Sequence, residues 1–295
     1  YAQHTSALFL TCRNQRGNQT ILFMAFGENK PLWGKVLCKG LSTDPQTFGQ
    51  KPSCLFSEFA FMQRAQQFNI CICCRCYNLT LGNGENVEAR SVIVATGSAY
   101  RKLGLADEDR LSGYGVSWCA TCDGAFYRNK VVAVVGGGDS AMEEATFLTR
   151  FADKVYIIHR SENIRASAVM KERAEQDPKI EFILNATVAH VYGDDLVSGV
   201  GLVDTITGDE RTLDVSGLFI AIGSDPRTHV VHGQLELTSE GTIKVDGRSS
   251  RTNLEGVFAA GDVIDPSYRQ AVTAAGSGCV AALDAQHYLE SLPQE

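Results

Sequence analysis

Val131-Val132-Ala133-Val134-Val135-Gly136-Gly137-Gly138-Asp139-Ser140-Ala141 is the stretch that decides the fold. Five apolar, mostly β-branched residues predict a buried strand, and three glycines then break it. Asp139 fits a helix N-cap, and Ala141, Ala145 and Leu148 recur at helical spacing on one face. Residues 155–158 supply the next strand. Strand, glycine turn, helix and strand make a βαβ unit, which builds a parallel sheet. Within the turn, residues 136–141 match G-x-G-x-x-A. The first glycine makes the tight turn, the second admits a pyrophosphate close to the backbone, and the small third residue lets helix pack on strand. The helix N-terminus offers amide groups and a positive dipole end. Gly136, Gly138, Asp139, Ser140 and Ala141 are therefore candidate dinucleotide contacts, against the alternative of a plain structural turn.

The end of the next strand selects the nucleotide. An acidic residue there would bond a ribose 2′-hydroxyl. The chain instead carries His159-Arg160, with Arg165 following. Arginines at that place pair with a 2′-phosphate, so NADPH is expected rather than NADH. The competing reading is a solvated basic turn.

Working outward, residues 91–95 form another β-branched run ending in Thr96-Gly97. Residues 164–175 read as a helix, and 180–184 and 217–222 as strands. Residues 1–87 differ: strands are expected at 20–24 and 68–72, and Gly82-Asn83-Gly84 reads as a hairpin turn, but no G-x-G-x-x-G strand-to-helix turn occurs. The 295 residues are enough for two domains. A net charge of -7 argues against general affinity for nucleic acid or anionic membrane. No segment approaches the roughly 20 apolar residues of a membrane span. The chain opens at Tyr1 rather than Met, and its first residues lack the succession of a signal peptide.

Ten cysteines are unevenly placed, seven of them before residue 77. That is unlike a secreted disulfide framework. Cys119-Ala120-Thr121-Cys122 is followed by Asp123-Gly124. Two intervening residues at a helix start bring sulfurs within bonding distance. Asp123 can move a proton during thiol–disulfide exchange if burial raises its pKa. Half of a zinc site is the rival reading. It is disfavoured because the nearest cysteine cluster, residues 71–76, lacks paired spacing and no histidine lies close by; no metal site is expected. Cys279, amid glycine and alanine on a helix, reads as a small core residue. Hydride does not readily reduce a disulfide directly, so a flavin between NADPH and Cys119–Cys122 is the natural bridge.

These residues resemble the low-molecular-weight thioredoxin reductase family. Residues 117–124 (Ser-Trp-Cys-Ala-Thr-Cys-Asp-Gly) resemble its active site, and 135–145 its NADPH loop. Val94-Ala95-Thr96-Gly97 resembles the strand and turn where the chain leaves the flavin domain. Residues 256–262, ending Gly261-Asp262, resemble the second flavin motif. Arg269-Gln270-Ala271 with 274–278 resembles the helix start over the isoalloxazine ring. The likeness runs from about residue 88 to the C-terminus.

The resemblance implies an α/β fold of two Rossmann-like domains, three-layer ββα in type. A discontinuous FAD domain (1–101 plus 228–295, with 1–87 atypical) would hold an inserted NADPH domain (102–227). Cys119 and Cys122 would be the exchanged disulfide and Asp123 the proton donor. Arg160 and Arg165 would hold the 2′-phosphate, and Asp262 with Arg269-Gln270-Ala271 would contact FAD. In the family a domain rotation exposes the dithiol to thioredoxin. A cytoplasmic homodimer acting on thioredoxin is implied. Two features depart from the family: Ser161 stands where a second arginine is usual, and residues 1–87 lack the first FAD motif. The alternatives are therefore a flavin dithiol reductase serving another partner, and an NADPH-binding product that cannot hold flavin.

Overall fold

The computed structural model describes Ile21–Ala25, Gln67–Cys71, Cys76–Thr80 and residues 86–293. Strand β1 (Ile21–Ala25) comes first, followed by β2 (Gln67–Cys71), β3 (Cys76–Thr80), β4 (Asn86–Ala89) and β5 (Ser91–Ala95). The expected strands at 20–24 and 68–72 correspond to β1 and β2 within one residue, with Thr20 and Ile72 outside the described residues. Strands β2, β3 and β4 pair antiparallel, with Thr80 opposite Asn86. The segment Gly82-Asn83-Gly84, expected as a hairpin turn, falls outside the described residues. Cys71 and Cys76 are register partners across β2 and β3; Cys73 and Cys74 are outside the description.

A compact unit covers Ser98–Pro226. Its edges are β6 (Ser98–Tyr100) and, at the far end, residues 224–226, which pair antiparallel and are clipped by Arg101 and Asp225. Between them come β7 (Val116–Ser117), helix α1 (Ala120–Asp123), β8 (Val131–Val135), α2 (Asp139–Leu148), β9 (Lys154–Ile158), α3 (Ala168–Glu175) and β10 (Ile180–Ile183). Strands β11 (Ala186–Tyr192), β12 (Gly199–Asp204), β13 (Glu210–Leu213), β14 (Gly217–Ile220) and β15 (Ser224–Pro226) complete it. The parallel sheet has the order β10-β9-β8-β14-β7.

Alternation along β8 explains the layers. Val132 and Val134 point to the face carrying Ala141, Met142, Ala145 and Leu148 of α2 and Ala174 of α3. Ala133 and Val135 point to the opposite face, where Val188, Val191, Val200 and Leu202 of the antiparallel β11-β12-β13 sheet cover them. Each buried aliphatic side chain contributes about 1.5–3 kcal/mol.

The second unit combines the described residues up to Gly97 with those from Arg227 onward, so the first unit is inserted in it. It adds β16 (Val257–Ala259) and the 21-residue helix α4 (Ala271–Ser291). Strands β1, β5 and β16 form a parallel sheet. Ile93 and Phe258 face Ala281 and Ala285 of α4, while Val92, Val94, Val257 and Ala259 face Tyr77 and Ala89. Both units are thus helix, parallel sheet and antiparallel sheet in section: an α/β, ββα fold. No helix among the described residues is long and apolar enough to cross a membrane.

Three local readings are corrected. The helix expected from 164 begins at Ala168, because the Arg165 and Ala166 amides donate to Gly137 O (2.7 and 3.0 Å). The N-cap of α2 is Gly138, not Asp139; the Asp139 carboxylate instead accepts from the Ser167 amide at 2.6 Å. Cys279 is exposed, since α4 buries Ala281, Ala285 and Leu289, and Cys279 lies off that line.

Candidate active site

In the inserted unit, Cys119 and Cys122 form a disulfide with Cα atoms 5.3 Å apart. Cys119 is the N-cap of α1, and its sulfur accepts from the Cys122 amide at 3.2 Å. Asp123 ends the helix and is 9% exposed. Its Oδ2 accepts from the Ser117 hydroxyl at 2.7 Å. The 3-10 turn that follows packs closely, with Gly124 under Phe147 and Leu148 of α2. Burial, with the Asp123 charge adding to it, pushes the Tyr127 phenol up to about 12. Among the described residues no cluster of three or more His, Cys, Asp or Glu could hold a metal.

The nucleotide loop lies between β8 and α2 of the same unit. A Cβ on Gly136 would stand 2.4 Å from Ala221 O, and one on Gly137 would stand 2.3 Å from the His159 ring. Only glycine fits either place without a shift of neighbours. Gly138 has open space where its Cβ would be, as a phosphate seat requires. Ser140 is exposed at the start of α2, whereas Ala141 is buried against the sheet. Arg160 and Arg165 are exposed, and the bond from the Arg165 amide to Gly137 brings their segment to the loop. His159 behaves differently: it is 7% exposed, and its Nε2 lies 3.2 Å from Asn163 O and 3.3 Å from Ser161 Oγ. It wedges the arginine segment against Gly137. These residues fit a dinucleotide with a 2′-phosphate.

In the other unit, the Thr96 hydroxyl donates to Arg227 O at 2.6 Å, and Gly97 O accepts from the Arg227 amide. Thr96-Gly97 therefore fastens the two chain crossings. Gly261 adopts φ +78 and its amide donates to Ser277 Oγ at 2.9 Å; Asp262 is buried in the same turn. Arg269 has φ +48, an unusual left-handed value for a long side chain. Asp265 holds it there, its carboxylate accepting from the amides of Ser267, Tyr268 and Arg269 at 2.8–2.9 Å. Gln270 caps α4 reciprocally with Thr273, and Ala271 is exposed at the helix start. A cleft of about 280 Å³ borders Gly261, Asp265, Thr273 and Ser277. The turn at Gly261 leaves open space, since an added Cβ would meet only Ala274 at 3.9 Å, which is compatible with a flavin bound beside it. The pyrophosphate end has no such fit in sequence, because residues 1–87 lack G-x-G-x-x-G.

Ser117 and Gly137 lie inside the quoted motifs but receive no role of their own from the sequence, and Asp265 lies outside them. The Asp265-Pro266 pair was a legible turn signal; Ser117 carried none beyond its place two residues before Cys119.

Residues 9–278 match the pyridine nucleotide-disulphide oxidoreductase family. The chain belongs to this family, in its thioredoxin reductase branch. It is 60% identical over 204 residues to a thioredoxin reductase of Streptomyces clavuligerus, covering 69% of this chain and 63% of that one. It is 47% identical over 219 residues to the thioredoxin reductase of Listeria monocytogenes, covering 74% and 68%. The crystal structure of thioredoxin reductase from Streptococcus pyogenes superposes with a TM-score of 0.72 at 39% identity, over 77% of this chain and 73% of that one. The matched stretch spans just under two thirds of the Streptomyces relative. The family match starts at residue 9, so it reaches into the atypical first third.

Proposed function

We propose that this chain is an NADPH-dependent thioredoxin-disulfide reductase. The observation that carries the proposal is a formed Cys119–Cys122 disulfide in the same unit as a glycine loop flanked by Arg160 and Arg165. The overall reaction converts NADPH, a proton and oxidised thioredoxin to NADP⁺ and reduced thioredoxin. Residues 102–227 form the NADPH domain, inserted in an FAD domain of 1–101 plus 228–295. Gly136, Gly138, Asp139, Ser140 and Ala141 seat or shape the site for the pyrophosphate, and Arg160 and Arg165 neutralise the 2′-phosphate. His159 positions them. Gly261, Asp262, Arg269, Gln270 and Ala271 would hold FAD at its ring end, and Thr96-Gly97 borders that domain's exit. When bound, FAD supplies the two-electron relay between a hydride donor and a disulfide. Asp123 moves the proton that accompanies opening and closing of the Cys119–Cys122 bond.

The names of the relatives support thioredoxin as the substrate. A cytoplasmic homodimer with no nucleic-acid or membrane partner is the matching setting. The test is to add FAD to purified protein and measure NADPH-dependent thioredoxin reduction. Activity with a bound flavin band supports the proposal. Thioredoxin left oxidised, with no flavin retained, refutes it and favours an NADPH-binding chain without a flavin seat.

A further inference from the structure

Ser117 is 1% exposed and lies in β7, in register with Phe219 of β14 in the parallel sheet. Its hydroxyl oxygen accepts from the Cys119 amide at 3.1 Å, and its proton goes to Asp123 Oδ2 at 2.7 Å. The alternative acceptor, Cys119 O, is 3.4 Å away and is the weaker one. One hydroxyl therefore ties both ends of the four-residue helix α1 to a strand of the sheet. This matters because α1 must keep its shape while the covalent bond across it is broken and remade.

We propose that Ser117 is a positioning residue for the disulfide: it fixes the rotation of the Asp123 carboxylate and the backbone of Cys119 in both redox states. The inference deepens the reductase reading and rests on its assignment of Asp123 as proton carrier. A short hydroxyl-to-carboxyl bond, buried beside the reacting sulfurs, is the kind of contact whose loss is felt in the rate.

The chemistry can be isolated with a small dithiol as reductant. A dithiothreitol thiolate attacks one sulfur of Cys119–Cys122, and the bonding pair leaves on the other sulfur, which takes a proton by way of Asp123. The second thiolate of the reductant then closes on the mixed disulfide and releases the remaining protein sulfur. Two electrons and two protons pass from the dithiol to the cysteines, and the reductant ends as a cyclic disulfide.

The experiment uses the full chain, with trapping by alkylation and mass spectrometry of the peptide holding Cys119 and Cys122, from pH 6 to 8. Ser117→Ala and Asp123→Asn are each expected to slow the exchange about tenfold, and the double variant no further than D123N alone. Ser117→Thr, which keeps the hydroxyl, restores the rate to within about threefold, a rescue that a merely structural role for the side chain would not give. If S117A does not fold, Ser117→Gly removes the same hydroxyl and enters the same cycle. An S117A rate equal to the parent, or a double variant slowed by the product of the two single effects, overturns the proposal. No NADPH, FAD or thioredoxin takes part, so this outcome is separate from that of the reductase assay.

Discussion

Gly137→Ala is the most informative single change to the nucleotide site. Gly137 carries no positive-φ constraint, so alanine is acceptable to the backbone. The obstacle is the His159 ring, with three atoms 2.3, 2.4 and 2.8 Å from the added Cβ. Ordinary carbon contacts need about 3.5–4.0 Å, so ring or loop must move by more than about 1 Å. Neither is free to do so. The ring is buried and bonded to the Asn163 carbonyl, and Gly137 O holds the Arg165 and Ala166 amides. Overpacking of this kind costs about 1–3 kcal/mol. Moving either partner carries the arginine segment away from the glycine loop, so the cost is expressed in cofactor binding. NADPH affinity, read by titration of its fluorescence, should fall by about 5- to 150-fold. Adding His159→Ala should recover part of that loss by making room for the methyl group. A G137A protein that binds NADPH within about twofold of the parent, or a double variant no better than G137A, refutes the wedge reasoning.

Other outcomes are expected of the same account. Cys119→Ser or Cys122→Ser removes thioredoxin reduction while leaving NADPH binding intact, checked by parallel activity and binding assays. Arg160→Ala with Arg165→Ala weakens NADPH by about 10- to 100-fold and leaves NADH little changed, checked by comparing the two dissociation constants. Burial raises the Asp265 carboxyl, but the amides of Tyr268, Ser267 and Arg269 and the Thr273 hydroxyl outweigh it, leaving the group below its usual 3.8. Its stabilisation of the Arg269 turn is thus complete above pH 3.8 and lost as the pH falls further. Asp265→Asn should lower the melting temperature at pH 7 and flatten its dependence on acid. Tyr127, with its phenol raised from 10 to about 12, should ionise well above the ordinary tyrosine value in an ultraviolet titration. The sign there runs opposite to Asp265: the stabilisation is full below pH 10 and is lost as the pH rises towards 12.

Much of the inserted unit was legible because its periodicities are clean. Strand β8 alternates between two apolar faces, and the glycines that follow it have geometric duties a sequence pattern can state. The start of α3 was misplaced because the Arg165 and Ala166 amides bond to a loop 28 residues and more away, a long-range competition invisible to local spacing. The β11-β12 pair was missed for a similar reason: a register shift between Val188 and His190 breaks the two-residue period. Cys119 and Cys122 announced themselves by spacing, whereas Ser117 emerged only once a strand and a helix end were brought side by side. Composition alone points Cys279 to the core, because it says how small the neighbours are but not which face of α4 they occupy.

The central claim is that electrons from NADPH end on Cys119 and Cys122. Its most direct test is anaerobic addition of one equivalent of NADPH to the FAD-supplied chain, followed by alkylation and mass spectrometry of the peptide carrying both cysteines. The account predicts loss of the Cys119–Cys122 disulfide and two newly alkylated thiols, and an intact disulfide when oxidised thioredoxin is added after NADPH but before the alkylating agent. A disulfide that survives NADPH with flavin bound would contradict it.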